Sequence, residues 1–225
     1  MDRLRSPYIV TFYGACIETQ KQALITEYMS LGSLYKLLHE DNLVLSWSQQ
    51  QSISLQIAKG INYLHQLQPS VLHRDIKSGN FLLERAYEGY TVKVCDFGLA
   101  KTRNETSSRT SSSHSLACTL QWTAPEILRL EHYTEKSDIY SLGVVYWELI
   151  TKQKPYDGYN DGVIRAFVLA KERLPIPDTT PSTFCAVVEK CWAHSPNDRP
   201  NTSDLIGMIE KCVHLQSNSL ITILS

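Results

Sequence analysis

No stretch of this 225-residue chain approaches the apolar length needed to cross a bilayer, and Met1-Asp2-Arg3-Leu4-Arg5 begins no signal peptide. Its six cysteines, at positions 16, 95, 118, 185, 191 and 212, form no CxxC pair and no regular framework. That absence argues against zinc sites and a disulfide scaffold. Cys95 sits in an apolar run and Cys191 lies beside Trp192, so both read as buried free thiols in a reducing, cytoplasmic setting. An excess of one charge is missing too. The formal net charge is −1, and Lys and Arg are scattered, so no basic run can track a nucleic-acid backbone. There is no internal repeat and no interdomain linker. What is present, 225 residues of which 43% are hydrophobic, suits one globular domain with a sizeable core.

Against that background one run carries the chemistry: His73-Arg74-Asp75-Ile76-Lys77-Ser78-Gly79-Asn80, followed by Asp96-Phe97-Gly98. It supplies a proton acceptor, a phosphate-facing cation and two magnesium ligands, in the order phosphoryl transfer requires. Asp75 would accept or orient a hydroxyl proton, Lys77 would reach a γ-phosphate, and Asn80 and Asp96 would hold Mg²⁺. A lone Asp-Phe-Gly is weak evidence. Both motifs together, correctly ordered and separated by a hairpin, leave little room for coincidence.

These residues resemble the catalytic core of the eukaryotic-type protein kinases, and the resemblance covers nearly the whole chain. Leu24 to Met29 resembles the strand and hinge that hold adenine, with Thr26 as gatekeeper and backbone groups of Glu27 and Met29 facing the base. Ser33, in Gly32-Ser33-Leu34, would approach the ribose, and Leu82 resembles the floor beneath adenine. Ala124-Pro125-Glu126 resembles the end of the activation segment. Asp138 to Gly143 resembles a buried central helix, with Asp138 in a structural role toward the catalytic loop. Arg199-Pro200 resembles the late signature whose arginine pairs with that glutamate, here Arg199 with Glu126. Lys77 and Thr119 fit serine/threonine kinases, whereas Thr26-Glu27-Tyr28-Met29, Trp147-Glu148-Leu149 and Cys191-Trp192 have a tyrosine-kinase flavour. The mixture resembles the tyrosine-kinase-like group, and Lys77 and Thr119 disfavour a tyrosine-specific enzyme. Where this chain has Cys118 the family usually has glycine.

The chain departs from the family at its start. The glycine-rich loop, the strand lysine and the helix glutamate of a complete kinase have no counterpart: the first glycine is Gly14 and the first lysine Lys21. Lys21 lies in Glu18-Thr19-Gln20-Lys21-Gln22, which reads as a solvated hairpin turn. The expectation is an N-terminally truncated kinase domain, with weak nucleotide binding and little turnover from this chain alone. Uncovered strands would present an unpaired edge to another chain.

Local patterns complete the reading. Ile9 to Tyr13 and Ala23 to Tyr28 are predicted strands, and Ser33 to His39 a short helix. Ile53, Ile57, Ile61 and Leu64 mark one face of a helix over 48–67, capped by Ser46 or Ser48. His65 reads as a packing or hydrogen-bonding histidine. Phe81-Leu82-Leu83 and Val92-Lys93-Val94 form a predicted hairpin that would bring Asp75, Asn80 and Asp96 to one cleft. Ser137 to Thr151 is a buried helix, with further helices near 162–173, 182–193 and 201–214. Thr106 to Ser115, with Arg109 and His114, reads as a phosphorylatable loop, for which Arg74 offers a cationic partner.

The fold expectation is therefore α+β and protein-kinase-like: a remnant of the β-rich small lobe and hinge at 1–29, a mainly helical large lobe at 30–214 and a tail at 215–225. The functional expectation is ATP- and Mg²⁺-dependent transfer to serine or threonine hydroxyls of a protein substrate, under an upstream or partner kinase, without nucleic acid or membrane. The alternative is a non-catalytic, kinase-like binding module.

Overall fold

In a computed structural model, residues 5–18, 21–96, 100–102 and 120–223 are described. The core is built on two long helices, α2 (Trp47–His65) and α4 (Glu135–Thr151), which come after the short α1 (Leu34–His39) and α3 (Pro125–Leu128) respectively. In α2 the Ile53, Ile57, Ile61 and Leu64 stripe is fully buried, as its spacing predicts. Ser46, rather than Ser48, caps this helix. Its hydroxyl accepts from the Gln49 N–H at 3.3 Å while the Gln49 side chain accepts from the Ser46 N–H at 2.9 Å. Helix α4 is buried on every side from Ser137 to Leu149, which is why its apolar sequence shows so little amphipathic alternation.

Helices α5 (Asp161–Leu169), α6 (Ser182–Cys191) and α7 (Thr202–Ile223) complete the helical part, α6 packing on α4 and α7 on α2. Helix α7 runs on past 214, into the residues expected to form a tail. No glycine or proline interrupts the sequence from 208 onward, so nothing local stops it. Among the described residues no helix is long and apolar enough to cross a membrane.

Two glycines allow close packing. A Cβ on Gly60 of α2 would lie 2.5 Å from Val94 Cγ2, and one on Gly143 of α4 would lie 2.9 Å from Cys191 Cβ. Each marks a place where a helix meets its neighbour backbone to side chain.

Strands are few. β1 (Phe12–Glu18) and β2 (Lys21–Thr26) form an antiparallel pair whose ladder closes at Glu18–Lys21. Lys21 is therefore a strand residue, not a turn residue as predicted; a two-residue connection lets pairing run into the polar stretch. The central hairpin of β5 (Phe81–Arg85) and β6 (Tyr90–Val94) pairs Phe81 with Val94, with β3 (Gly32–Ser33) on its other edge. β4 (Val71–Leu72) pairs with β7 (Lys101–Thr102). The segment before β1 docks on β6 through Val10 N–H to Val94 O and Val94 N–H to Tyr8 O, both 2.9 Å.

The Arg199–Glu126 pair is present and buried, each residue only 2% exposed. The guanidinium binds both carboxylate oxygens, at 2.7 and 2.8 Å. It also donates to the carbonyls of Ala193, Lys136 and His194. Ser137 Oγ donates to the same carboxylate at 2.9 Å. Burial pushes the Glu126 carboxyl up, but the Arg199 guanidinium outweighs it and leaves the group below its ordinary value of 4.5. With every donor and acceptor matched, the pair ties the turn after α6 to α3 and the start of α4. Glu126→Gln strands the arginine charge in the core, and urea unfolding should show a loss of about 3–5 kcal/mol; a loss under about 1 kcal/mol would show that the pair contributes little.

Candidate active site

The segment from His73 to Asn80 joins β4 to β5 and is held from below by one carboxylate. Asp138, fully buried in the first turn of α4, accepts from the His73 N–H at 3.0 Å and the Arg74 N–H at 3.1 Å. Its two oxygens also accept from His65 Nε2 at 2.8 Å and the Tyr133 hydroxyl at 2.7 Å. Burial raises this carboxyl, but the His65 hydrogen bond and the other donors outweigh it and lower the group below its ordinary 3.8. Arg74 takes a left-handed φ of 68°, which is uncommon for a side-chain-bearing residue. The bond from its N–H to Asp138 helps fix that shape.

His73 is buried, and burial lowers its basicity, so the ring stays neutral. Its Nδ1 accepts from the Asp75 N–H at 3.3 Å, which assigns the proton to Nε2, facing the Cys95 carbonyl at 3.1 Å. The histidine thus joins the loop to the end of β6. His65 is a hydrogen-bonding core residue, as its sequence context predicts.

Asp75 is 8% exposed, and its two oxygens differ. Oδ2 accepts from Lys77 Nζ at 2.9 Å and from Asn80 Nδ2 at 3.0 Å. Oδ1 is buried and has no hydrogen-bond partner among the described residues. Asn80 Nδ2 also donates to the Asp75 carbonyl at 2.7 Å, so both amide protons are spent on Asp75 and its Oδ1 is the coordinating atom left. The Cys95 N–H donates to the Asn80 carbonyl at 2.9 Å, and Asp96 follows directly, exposed, with a φ of 58°. The β5–β6 hairpin therefore sets the Cys95 N–H against Asn80, which in turn binds Asp75, and Asp96 follows in the chain. Among the described residues no group of three or more His, Cys, Asp or Glu could hold a metal ion unaided. A divalent ion held by Asn80 and Asp96 would take its remaining oxygens from water or a bound ligand.

Of the residues expected at the hinge, Thr26 ends β2 and its hydroxyl donates to the Glu27 carbonyl at 3.2 Å. The Glu27 side chain is clamped by the Thr11 N–H and by Lys93 Nζ, each at 2.6 Å. Burial raises its carboxyl, and the Lys93 hydrogen bond and its companions bring it below the ordinary 4.5. Met29 is buried, and its carbonyl accepts from the Gly32 N–H at 3.1 Å. Ser33 caps α1, its Oγ accepting from the Lys36 N–H at 3.2 Å, which leaves the hydroxyl proton free to donate. Leu82, half-buried in β5, lies between Ser33 and Lys93 in the sheet.

Sequence reasoning missed Glu148 as a hub. Fully buried in α4, it accepts from Ser78 Oγ at 2.6 Å and Trp122 Nε1 at 3.2 Å and contacts His39 Nε2 at 2.7 Å. The available signal was a charged residue inside an otherwise apolar helix. Phe97, Gly98, Cys118, Thr119 and the 106–115 run, with Arg109 and His114, lie outside the described residues.

A family model described as protein tyrosine and serine/threonine kinase matches residues 1–209. The chain is 41% identical over 216 residues to serine/threonine-protein kinase CTR1 of Arabidopsis thaliana, covering 95% of the chain and 26% of that relative. It is 39% identical over 211 residues to the probable serine/threonine-protein kinase drkC of Dictyostelium discoideum, covering 93% of the chain and 28% of the relative. For drkD of the same organism the figures are 37% over 208 residues, 92% and 16%. The chain thus spans well under a third of the length of these curated relatives.

The Asp138 hub has a pH signature. Its proton is held less tightly in the folded than in the unfolded chain. The stability it contributes is therefore complete above 3.8 and drains away as pH falls through the lower folded value. Urea midpoints of the unsubstituted chain and Asp138→Asn should differ most near neutral pH and draw together as the pH falls below 3.8. A gap that stays constant with pH would remove the charge from this account.

Proposed function

We propose, from a chain that belongs to the protein tyrosine and serine/threonine kinase family, that it carries the phosphoryl-transfer centre of a serine/threonine protein kinase. The family implies ATP, a divalent metal and a protein substrate. The observation that carries the reading is the asymmetry of Asp75. One oxygen is pinned by Lys77 and Asn80, and the other is buried without a donor among the described residues. A buried acceptor left unpaired is costly, and a substrate hydroxyl would satisfy it.

Asp75 Oδ1 would orient the serine or threonine hydroxyl and take its proton as the oxygen forms its new bond to phosphorus. Lys77, a quarter exposed, can turn its ammonium from Asp75 toward the transferring phosphoryl group. Asn80 Oδ1 and the Asp96 carboxylate suit a hard divalent cation, since both offer oxygen. Mg²⁺ bound there would neutralise phosphate oxygens of ATP. Backbone groups of Glu27 and Met29 would meet adenine, beside Thr26 and over Leu82, with the Ser33 hydroxyl at the ribose. In this reading residues 1–29 supply the hinge side of the cleft and 30–214 the lobe beneath it, ahead of the tail at 215–225.

Serine/threonine specificity follows Lys77 and the names of the relatives. An upstream or partner kinase would act on the 106–115 run. A cytoplasmic setting suits the free thiols Cys16, Cys95, Cys185, Cys191 and Cys212. Non-catalytic binding is the second reading, favoured by the exposed apolar side chains Tyr13, Ile17, Leu24 and Ile25 on the β1–β2 pair. Transfer of labelled γ-phosphate to a protein rich in serine and threonine separates the two. Asp75→Asn should lower the rate by about 10²–10⁴-fold, with label on serine or threonine. Equal rates, or label on tyrosine alone, would overturn the assignment; binding of a partner without any transfer would favour the second reading.

A further inference from the structure

A hollow of ≈ 450 Å³ lies apart from the nucleotide side, between the end of α1, the end of α4 and the loop that follows it. That size falls within the roughly 300–1,000 Å³ of pockets that take a small ligand or a few side chains. Its walls include Leu38, Trp147, Tyr156 and Pro175, and its polar lining includes Lys152 and Lys154. One carboxylate, Asp157, also lines it, and Glu40 stands close enough to act on Lys154. Lys154 Nζ also sits 5.7 Å over the Tyr35 ring.

The loop adopts a costly shape. Lys152 ends α4 at a φ of 55°, where glycine is the usual residue, and Tyr156 repeats the same φ. Left-handed conformations of non-glycine residues are strained and collect at binding sites. Here they fix a cation and an aromatic wall around one depression.

The hollow is also wired to the catalytic loop. His39 lines it, contacts Glu148 Oε1 at 2.7 Å, and the same oxygen accepts from Ser78 Oγ at 2.6 Å. Ser78 lies three residues beyond Asp75. A chain lying in this hollow therefore rests against His39, whose partner Glu148 also holds Ser78 in the loop carrying Asp75.

We propose that this hollow docks an acidic segment of the protein substrate, an aspartate or glutamate reaching Lys152 and Lys154 while an apolar or aromatic neighbour packs on Trp147 and Tyr156. The inference rests on the phosphoryl-transfer reading above and adds to it a class of substrate. The acids of such a segment would compete with Asp157 and Glu40 for Lys152 and Lys154, while its aromatic neighbour would face Trp147 and Tyr156.

Binding can be read without nucleotide, so its failure is separable from a failure of Asp75→Asn to lower transfer. Fluorescence anisotropy would compare a labelled ten-residue peptide of glutamates around one tyrosine with the same peptide carrying lysines. The 225-residue chain should prefer the acidic peptide at least about tenfold, and that preference should fall with added salt. Lys152→Glu/Lys154→Glu should abolish the preference, while the milder Lys152→Gln/Lys154→Gln, with its thermal midpoint checked, should weaken it about tenfold. Equal capture of the two peptides, or an acidic preference that survives both variants, would overturn the proposal.

Discussion

The four donors that converge on Asp138 set the geometry on which the rest of the site depends. A carboxylate placed in the first turn of the most buried helix would be an expensive defect if any of its lone pairs were idle. Instead it accepts two consecutive backbone N–H groups of the His73–Asn80 loop, one imidazole and one phenol. The loop is thereby anchored to a rigid element rather than to another loop. That anchoring supports the left-handed Arg74 and the turn that presents Asp75. Such support is what keeps a reactive group within the narrow tolerances of catalysis.

The same device recurs along the lower lobe with different partners. Glu126 answers Arg199 with a two-toothed ion pair, and Glu148 gathers His39, Ser78 and Trp122. Asp138 and Glu148, on the same helix, both reach the loop from His73 to Asn80, one near each end. Buried acids thus fix polar loops to an apolar helix, so that α4 serves as a common spine for segments distant in sequence. Gly143 lies between those two acids. Its missing Cβ is what lets the chain at Cys191 and Trp192 close over the helix.

Much of this was legible from the chain, and the limits have physical causes. The Ile53–Leu64 stripe is a local periodicity, and α2 follows it. The Glu126–Arg199 pair and the supporting role of Asp138 were read by resemblance, and both are met by hydrogen bonds of ordinary length. Glu148 was not read as a hub because its partners at 39, 78 and 122 become neighbours only after folding, and no local pattern links them. Lys93 looked like one residue of a strand, yet its partner lies 66 positions away in Glu27. Strand limits slipped for a different reason: in β1 and β2 the backbone ladder, not side-chain preference, decides where pairing stops.

The strap between Glu27 and Lys93 carries a consequence for ligand selectivity. With one carboxylate oxygen engaged by Thr11 and the other by Lys93, the Glu27 side chain is already tied back, so a purine bound as proposed would be met by its peptide groups. Discrimination among bases at this rim would then be a property of main-chain spacing, blind to side-chain identity. Because the strap spans from the rim to the strand leading into Asp96, a base that spread the rim would tug on the strand that leads to the acid proposed to hold metal.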